Sequence, residues 1–227
     1  MTGTVRPRNV AVAGATGLIG RHLVQQLCAD PSVATIHALA RRELDITNPK
    51  LVTHRVDFSA LPELPPLDEV YLALGTTIKA AGSQAAFRAV DLDANLAVAR
   101  AAHAAGARRI GLVSALGANA RSRIFYNRIK GELEQALAAL DLDALVIARP
   151  SLLRGDRAVL GQAERAGEVW GARLDTLLRP LIPRHLRAID AADVAASLVQ
   201  QVPGAHERVL LSSDAMQDAS RSSSQES

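Results

Sequence analysis

A chain of 227 residues, 48% apolar and 22% charged, has room for one domain with a sizeable core and would crowd two. Its net charge of +3 is spread along the sequence without an aromatic-interleaved basic patch, which argues against a nucleic-acid binder; no apolar run approaches the roughly 18–20 residues of a membrane span. The single cysteine, Cys28, excludes an internal disulfide, and Met1 to Arg8 lack the long apolar stretch of a secretory signal, so the expected compartment is the cytoplasm.

Short apolar, β-rich runs alternate with longer segments of helical period. Val10–Ala13 reads as a strand, and a glycine-rich turn then opens a helix over Leu18–Ala29. Strands follow at Thr35–Ala40, Leu51–Val56 and Val70–Leu74, and the proline-rich link from Pro62 to Pro66 is unsuited to a helix. A helix over Ser83–Ala105, a strand at Ile110–Ser114, a helix over Ser122–Leu140 and a strand at Ala144–Ala148 continue the alternation. After Pro150 the pattern loosens. Gly155, Gly161, Gly167, Gly171, Pro180 and Pro183 break it up, which suggests a small substrate lobe over 151–190. A helix over Asp190–Gln201 and a strand at Arg208–Leu211 complete the fold, and the polar, serine-rich 213–227 is expected to be a disordered tail. Strands of nearly continuous apolar character are covered on both faces, as in a parallel sheet. The expectation is therefore an α/β, doubly wound parallel sheet, a Rossmann fold, in one domain over 1–212.

The stretch from Asn9 to Gly20 sets strand, glycine turn and helix start in sequence. Gly14 permits a tight turn, Gly17 lets the backbone approach a pyrophosphate, and Gly20 allows helix and strand to pack closely. The anion would sit at the free N–H groups of a helix N-terminus. Gly14, Thr16, Gly17, Leu18, Ile19 and Gly20 are thus the expected dinucleotide loop, spaced G-x-x-G-x-x-G rather than G-x-G-x-x-G. About 20 residues on, where an enzyme using NAD carries a carboxylate for the ribose, the chain has Arg41 and Arg42. Two guanidiniums there suit a 2′-phosphate and favour NADP, although they would also serve as a solvated basic loop, and Glu43 and Asp45 just beyond keep NAD in play.

Tyr126 and Lys130 stand at i and i+4, on one face of a helix. A phenol is a poor base at neutral pH, and a neighbouring ammonium favours its phenolate, so the pair can exchange a proton with a substrate oxygen. Ser114 closes the preceding strand, where its hydroxyl can orient a carbonyl. The plainer alternative is a surface Tyr–Lys pair. No close metal-ligand spacing occurs among the six histidines, and no metal is expected.

The glycine loop, Ser114 and the Tyr126/Lys130 pair resemble the short-chain dehydrogenase/reductase superfamily in its extended and atypical branches. More narrowly, Leu74-Gly-Thr-Thr77, Phe87-x-x-Val-Asp91, Leu112-Val-Ser-Ala-Leu-Gly-Ala118, Tyr126-x-x-x-Lys-Gly-Glu132, Arg149-Pro150 and Ile189-Asp-Ala-Ala-Asp-Val-Ala195 resemble the Tat-interacting-protein oxidoreductase-like family, collinearly over roughly residues 9 to 211. The resemblance implies Tyr126 as general acid/base, Lys130 as its pKa-lowering and ribose-binding partner, and Ser114 as carbonyl donor. It further implies Asp57 and Phe58 at the adenine, and Leu74, Gly75, Thr76, Thr77 and Pro150 along the cofactor. Asn95 stands either in a proton relay or in a packing contact. The function so implied is an NADP-dependent oxidoreductase acting on a small carbonyl or alcohol. The partner is a small-molecule substrate, and a homodimer is compatible. A sugar-nucleotide epimerase or dehydratase and a non-catalytic NADP sensor are the other readings. Arg149, Arg154, His185 and Arg187 are the basic residues expected on the substrate side.

Overall fold

The computed structural model describes residues 7–154 and 187–225. The chain opens with β1 (Arg8–Ala13), α1 (Leu18–Ala29), β2 (Val33–Ala40), β3 (Leu51–Arg55) and β4 (Glu69–Leu72). After the short helices α2 (Ile78–Ala81) and α3 (Gln84–Arg88), a π-helical turn over Ala89–Ala94 leads into α4 (Asn95–Ala104). Next come β5 (Arg109–Val113), α5 (Phe125–Ala138), β6 (Ala144–Arg149) and β7 (Leu153–Arg154). The last elements are β8 (Ile189–Asp190), α6 (Ala191–Gln201), β9 (Glu207–Ser212) and α7 (Ser213–Gln225). The main sheet has seven strands in the order β3-β2-β1-β4-β5-β6-β9, and every neighbouring pair is parallel. This is the doubly wound Rossmann arrangement, with its strand order reversing at β1 and β4.

Alternation along β1 shows how the two layers form. Val10 and Val12 face one core with Leu23, Val24 and Leu27 of α1 and Val194 and Leu198 of α6. Ala11 and Ala13 face the other, with Val98 of α4 and Leu133 and Leu137 of α5. Aromatics contribute little to either core, apart from the fully buried Tyr71 and Phe87. The Tyr71 hydroxyl donates to Glu69, which Arg8 grips at 2.6 and 2.7 Å. Burial, with that carboxylate beside it, pushes the Tyr71 phenol well above its ordinary value.

Two expectations change. The helix expected over Ser83–Ala105 is interrupted: Ser83 caps α3 by accepting from Ala86 N at 3.1 Å, and the chain widens into the π turn before α4. Asn95 stabilises the wide turn, its Nδ2 donating to the carbonyls of Val90 and Asp91 at 3.2 Å each. The expected disordered tail is helical over Ser213–Gln225. Its first turn is anchored by buried Met216 and by Ser213, whose Oγ accepts from Ser151 N at 2.8 Å. One apolar anchor is enough to dock a turn that composition reads as polar throughout. Of the expected substrate lobe, 155–186, with its glycines, prolines and His185, lies outside the described residues.

Replacing Met216 by Ala removes a fully buried side chain, and is expected to lower stability by about 2–5 kcal/mol. Urea denaturation measures this, and an unchanged midpoint would mean that α7 does not dock.

Candidate functional site

The glycine turn is built by steric necessity. Gly14 has φ +86°, and a Cβ on it would lie 2.5 Å from the Ala73 carbonyl oxygen beyond β4. The turn is closed by Gly17 N donating to Gly14 O at 2.8 Å. A Cβ on Gly20 would lie 2.0 Å from that same Gly14 oxygen, so α1 packs on the loop only without a side chain there. Gly17 caps α1 without a side-chain hydrogen bond, and the first turn carries no acidic residue. Its N–H groups and the helix dipole are left to favour an anion.

From this turn a cleft of about 620 Å³ runs across the ends of the strands. Of the expected cofactor residues, Gly14, Thr16, Gly17, Arg41, Arg42, Asp57, Phe58, Leu74 and Gly75 line it. Residues far apart in sequence thus converge where parallel sheets hold ligands. Leu18, Ile19, Gly20, Thr76, Thr77, Lys130 and Pro150 are not on its wall, nor are Ser114 and Tyr126. Ile19 and Gly20 are buried in α1, Thr77 caps α2 by accepting from Ala80 N, and the Pro150 carbonyl accepts from Leu116 N at 2.9 Å. Arg41 and Arg42 are exposed at the rim. The Asp57 carboxylate accepts from Ser59 N and Oγ, at 2.9 and 2.7 Å, and these bonds hold it below the usual carboxylate range. The far wall is the π turn and α4, with Ala89, Val90, Asp93, Ala94 and Ala97. Sequence reasoning missed these, because small residues that leave room for a ligand look like ordinary helix formers.

Helix α5 carries the second half of the site. Tyr126, Lys130 and Glu134 follow at i, i+4 and i+8, hence along one face. Lys130 is buried, with its Nζ 2.6 Å from Asp91 Oδ1 in an ion pair that lies off the hydrogen-bond direction. The other oxygen, Asp91 Oδ2, accepts from Thr76 N at 2.9 Å. Gly75 lies between strand and helix, where a Cβ would stand 3.6 Å from Asp91 Oδ1 and 4.0 Å from Lys130 Nζ. The surface-pair alternative therefore does not describe Lys130. Tyr126 is half-buried, with its ring 5.5 Å from that of Phe87.

Ser114 is buried at the end of β5, where its Oγ donates to Glu134 Oε1 at 2.6 Å. Glu134 also receives Arg149, through Nε at 3.0 Å and Nη2 at 2.5 Å, and Arg208 at 3.3 Å. The hydrogen bonds that Arg149 donates to Glu134 raise its guanidinium above its already high value. The one proton of Ser114 is thus engaged by a carboxylate rather than free for a substrate carbonyl. Asp91 and Glu134 were both missed as site residues. The signal was present for each: Asp91 interrupts an apolar run between Val90 and Leu92, and Glu134 continues the Tyr126–Lys130 face.

The profile of the NAD(P)H-binding family matches residues 14–203, and the chain belongs to that family. Among similar curated proteins, "Protein fmp52, mitochondrial" of Emericella nidulans is 33% identical, with 92% of this chain and 97% of the relative covered. The FMP52 protein of Candida albicans is 38% identical, over 81% of this chain and 82% of its own. Among solved structures, MoeE5 in complex with UDP-glucose and NAD matches with a TM-score of 0.65 at 18% identity, covering 92% of this chain and 79% of MoeE5. A short chain dehydrogenase family protein from Francisella tularensis gives a TM-score of 0.66 at 13% identity, covering 90% and 96%. Structural likeness at these identities is likeness of fold. The residues present fit the family's dinucleotide, since the side-chain-free cradle at Gly14 opens into the cleft described above. The relatives' names overturn the expected cytoplasmic location, because they are called mitochondrial. A lone thiol excludes a disulfide but does not distinguish one reducing compartment from another.

Glu134→Ala leaves the buried Ser114 hydroxyl without its acceptor and Arg149 without its partner. A loss of about 1–3 kcal/mol is expected in chemical denaturation, and no loss would mean that the network carries no load.

Proposed function

We propose that the chain is an NADP(H)-dependent oxidoreductase that interconverts a small carbonyl and its alcohol, with Tyr126 and Lys130 as its catalytic pair. The observation that carries this reading is the buried Lys130 ammonium, held at the end of β4 beside Gly75, one helical turn from Tyr126. Gly14, Gly17 and the first N–H groups of α1, at Leu18 and Ile19, would hold the pyrophosphate. Arg41 and Arg42 would grip the 2′-phosphate by charge-assisted hydrogen bonds, and Asp57 and Phe58 would border the adenine. Leu74 to Thr77 would follow the cofactor along the end of β4, with Pro150 beyond β6.

When bound, the nicotinamide supplies or accepts the hydride. In reduction, Tyr126 gives its proton to the substrate oxygen, and in oxidation it takes the proton back. Lys130 keeps a positive charge near the phenol, so that the phenolate costs less to form. Ser114 enters with its proton already bound to Glu134, so its oxygen accepts from a substrate hydroxyl, and donating to a carbonyl requires release from Glu134. The epimerase alternative draws on likeness of fold alone, which does not fix a reaction.

Titration with NADPH and NADH is expected to show tighter binding of NADPH. Arg41→Ala with Arg42→Ala should weaken NADPH by about 10–100-fold while leaving NADH nearly unchanged. Equal affinity for both cofactors in the unaltered chain would remove the assignment to NADP. On a panel of small carbonyls, Tyr126→Phe should lower turnover by about 10²–10⁴-fold with cofactor affinity retained. Full turnover by that variant would overturn the catalytic role.

A further inference from the structure

The carboxylate of Asp91 has no place in the chemistry above, yet it is buried and both of its oxygens are engaged. A neutral side chain would accept equally well from Thr76 N, so that contact does not require a charge. The charge answers Lys130, whose ammonium lies 2.6 Å away. A buried carboxylate without such a partner is costly. The backbone around the pair is also tied. Asn95 Nδ2 donates to the Leu74 carbonyl at 3.1 Å and to the Val90 and Asp91 carbonyls at 3.2 Å, joining the end of β4 to the π turn. The π turn faces α5, so a single ion pair links the strand end, the turn and the helix bearing Tyr126.

We propose that Asp91 is the positioning residue for Lys130: its carboxylate fixes the ammonium beside Gly75 and moderates the positive charge that Tyr126 meets. This rests on the Tyr126–Lys130 reading. A lysine side chain has many rotamers, and the pair selects one of them. The carboxylate also lies beside the charge that Lys130 would present to the phenol, so removing it leaves that charge uncompensated.

Among the described residues on the elements around Tyr126, Lys79, Arg121 and Arg123 are exposed, and several other charges are mutually paired. Arg88 of α3 meets Glu132 at 2.7 Å and Asp93 of the π turn at 3.9 Å, and Arg128 meets Glu132 at 3.9 Å. Glu134 is taken up by Arg149 of β6 and Arg208 of β9. On α4, Arg100 is exposed and His103 sits by the Ala107 carbonyl, both C-terminal to Asn95. Asp91 and Lys130 are therefore the buried charged pair one helical turn from Tyr126.

The test needs neither cofactor nor substrate. The chain has two tyrosines, Tyr71 and Tyr126, and the Tyr71 phenol is pushed well above its ordinary value. The first phenolate to appear in an ultraviolet pH titration of the full chain thus belongs to Tyr126, an assignment checked by its loss in Tyr126→Phe. Asp91→Asn should move that titration down by about one pH unit, whereas Asp91→Glu should stay near the unaltered chain. A titration of Asp91→Asn that is unmoved or shifts upward overturns the proposal. Lys130→Met should move the titration up; if it does not, the Tyr126–Lys130 reading falls, and this inference with it. Asp91→Asn leaves a buried ammonium unpaired and can fail to fold. In that case Asp91→Asn/Lys130→Met, which lacks both charges, is compared with Lys130→Met. The double variant should titrate lower, and equal values overturn the proposal.

Discussion

Gly14 and Gly20 leave no room for a side chain, packed against each other and Ala73. The Gly14 carbonyl oxygen lies where a Gly20 Cβ would stand, and the Ala73 oxygen lies where a Gly14 Cβ would stand. With no side chains at these positions, the end of β1, the start of α1 and the chain leaving β4 share a space too small for one methyl group. Three consequences follow. The axis of α1 is aimed so that its free N–H groups face the mouth of the sheet. Leu74 and Gly75 are drawn beside the turn, and the cleft is bounded on that side by backbone rather than by side chains. The opposite wall is mostly small, with Ala89, Ala94 and Ala97 of the π turn and α4 beside Val90 and Asp93.

The remainder of the site is organised by two buried carboxylates. Asp91 and Glu134 each stand within a few ångströms of a cation and a neutral donor, Lys130 with Thr76 N for the first and Arg149 with Ser114 for the second. Carboxylates in such places are tolerated because every charge has a partner, and breaking one pair strands the other member. Helix α5 brings both pairs into register, since Lys130 and Glu134 lie one turn apart. The helix is itself seated by Gly131, where a Cβ would lie 2.1 Å from Ala120 N. That contact presses α5 onto the loop after β5 and brings Glu134 to the serine at the strand's end.

Much of this was legible in the sequence, for reasons that differ by element. The inner strands were readable because each is an apolar run covered on both faces, whereas the edge strands β3 and β9 are largely exposed, and α1 spans Leu18–Ala29 as its periodicity indicates. The glycine turn and the arginines after β2 were readable because backbone conformation and charge are properties of single residues. The π turn was not readable, since the segment around it has ordinary helical composition and the break depends on Asn95 reaching carbonyls of the preceding turn. The docking of α7 was hidden by the serines around Met216. The pairings of Asp91 and Glu134 escaped for a related reason. A carboxylate on a helix is exposed far more often than buried, and only the packing of a distant strand or turn decides the matter.

Ser114 illustrates how a motif can be found while its chemistry is left open. Its position closing a central strand is what the fold provides, but the direction of its hydroxyl depends on a helix residue twenty positions later. With Glu134 as acceptor, the serine oxygen keeps its lone pairs while its one proton is engaged. The two arginines hold the Glu134 carboxylate in the place where it accepts from Ser114. The direction of the hydroxyl at the sheet's end is therefore set through β6 and β9, while Lys130 is paired through the π turn. One helix face receives both contacts, because Lys130 meets Asp91 and, one turn later, Glu134 meets Ser114.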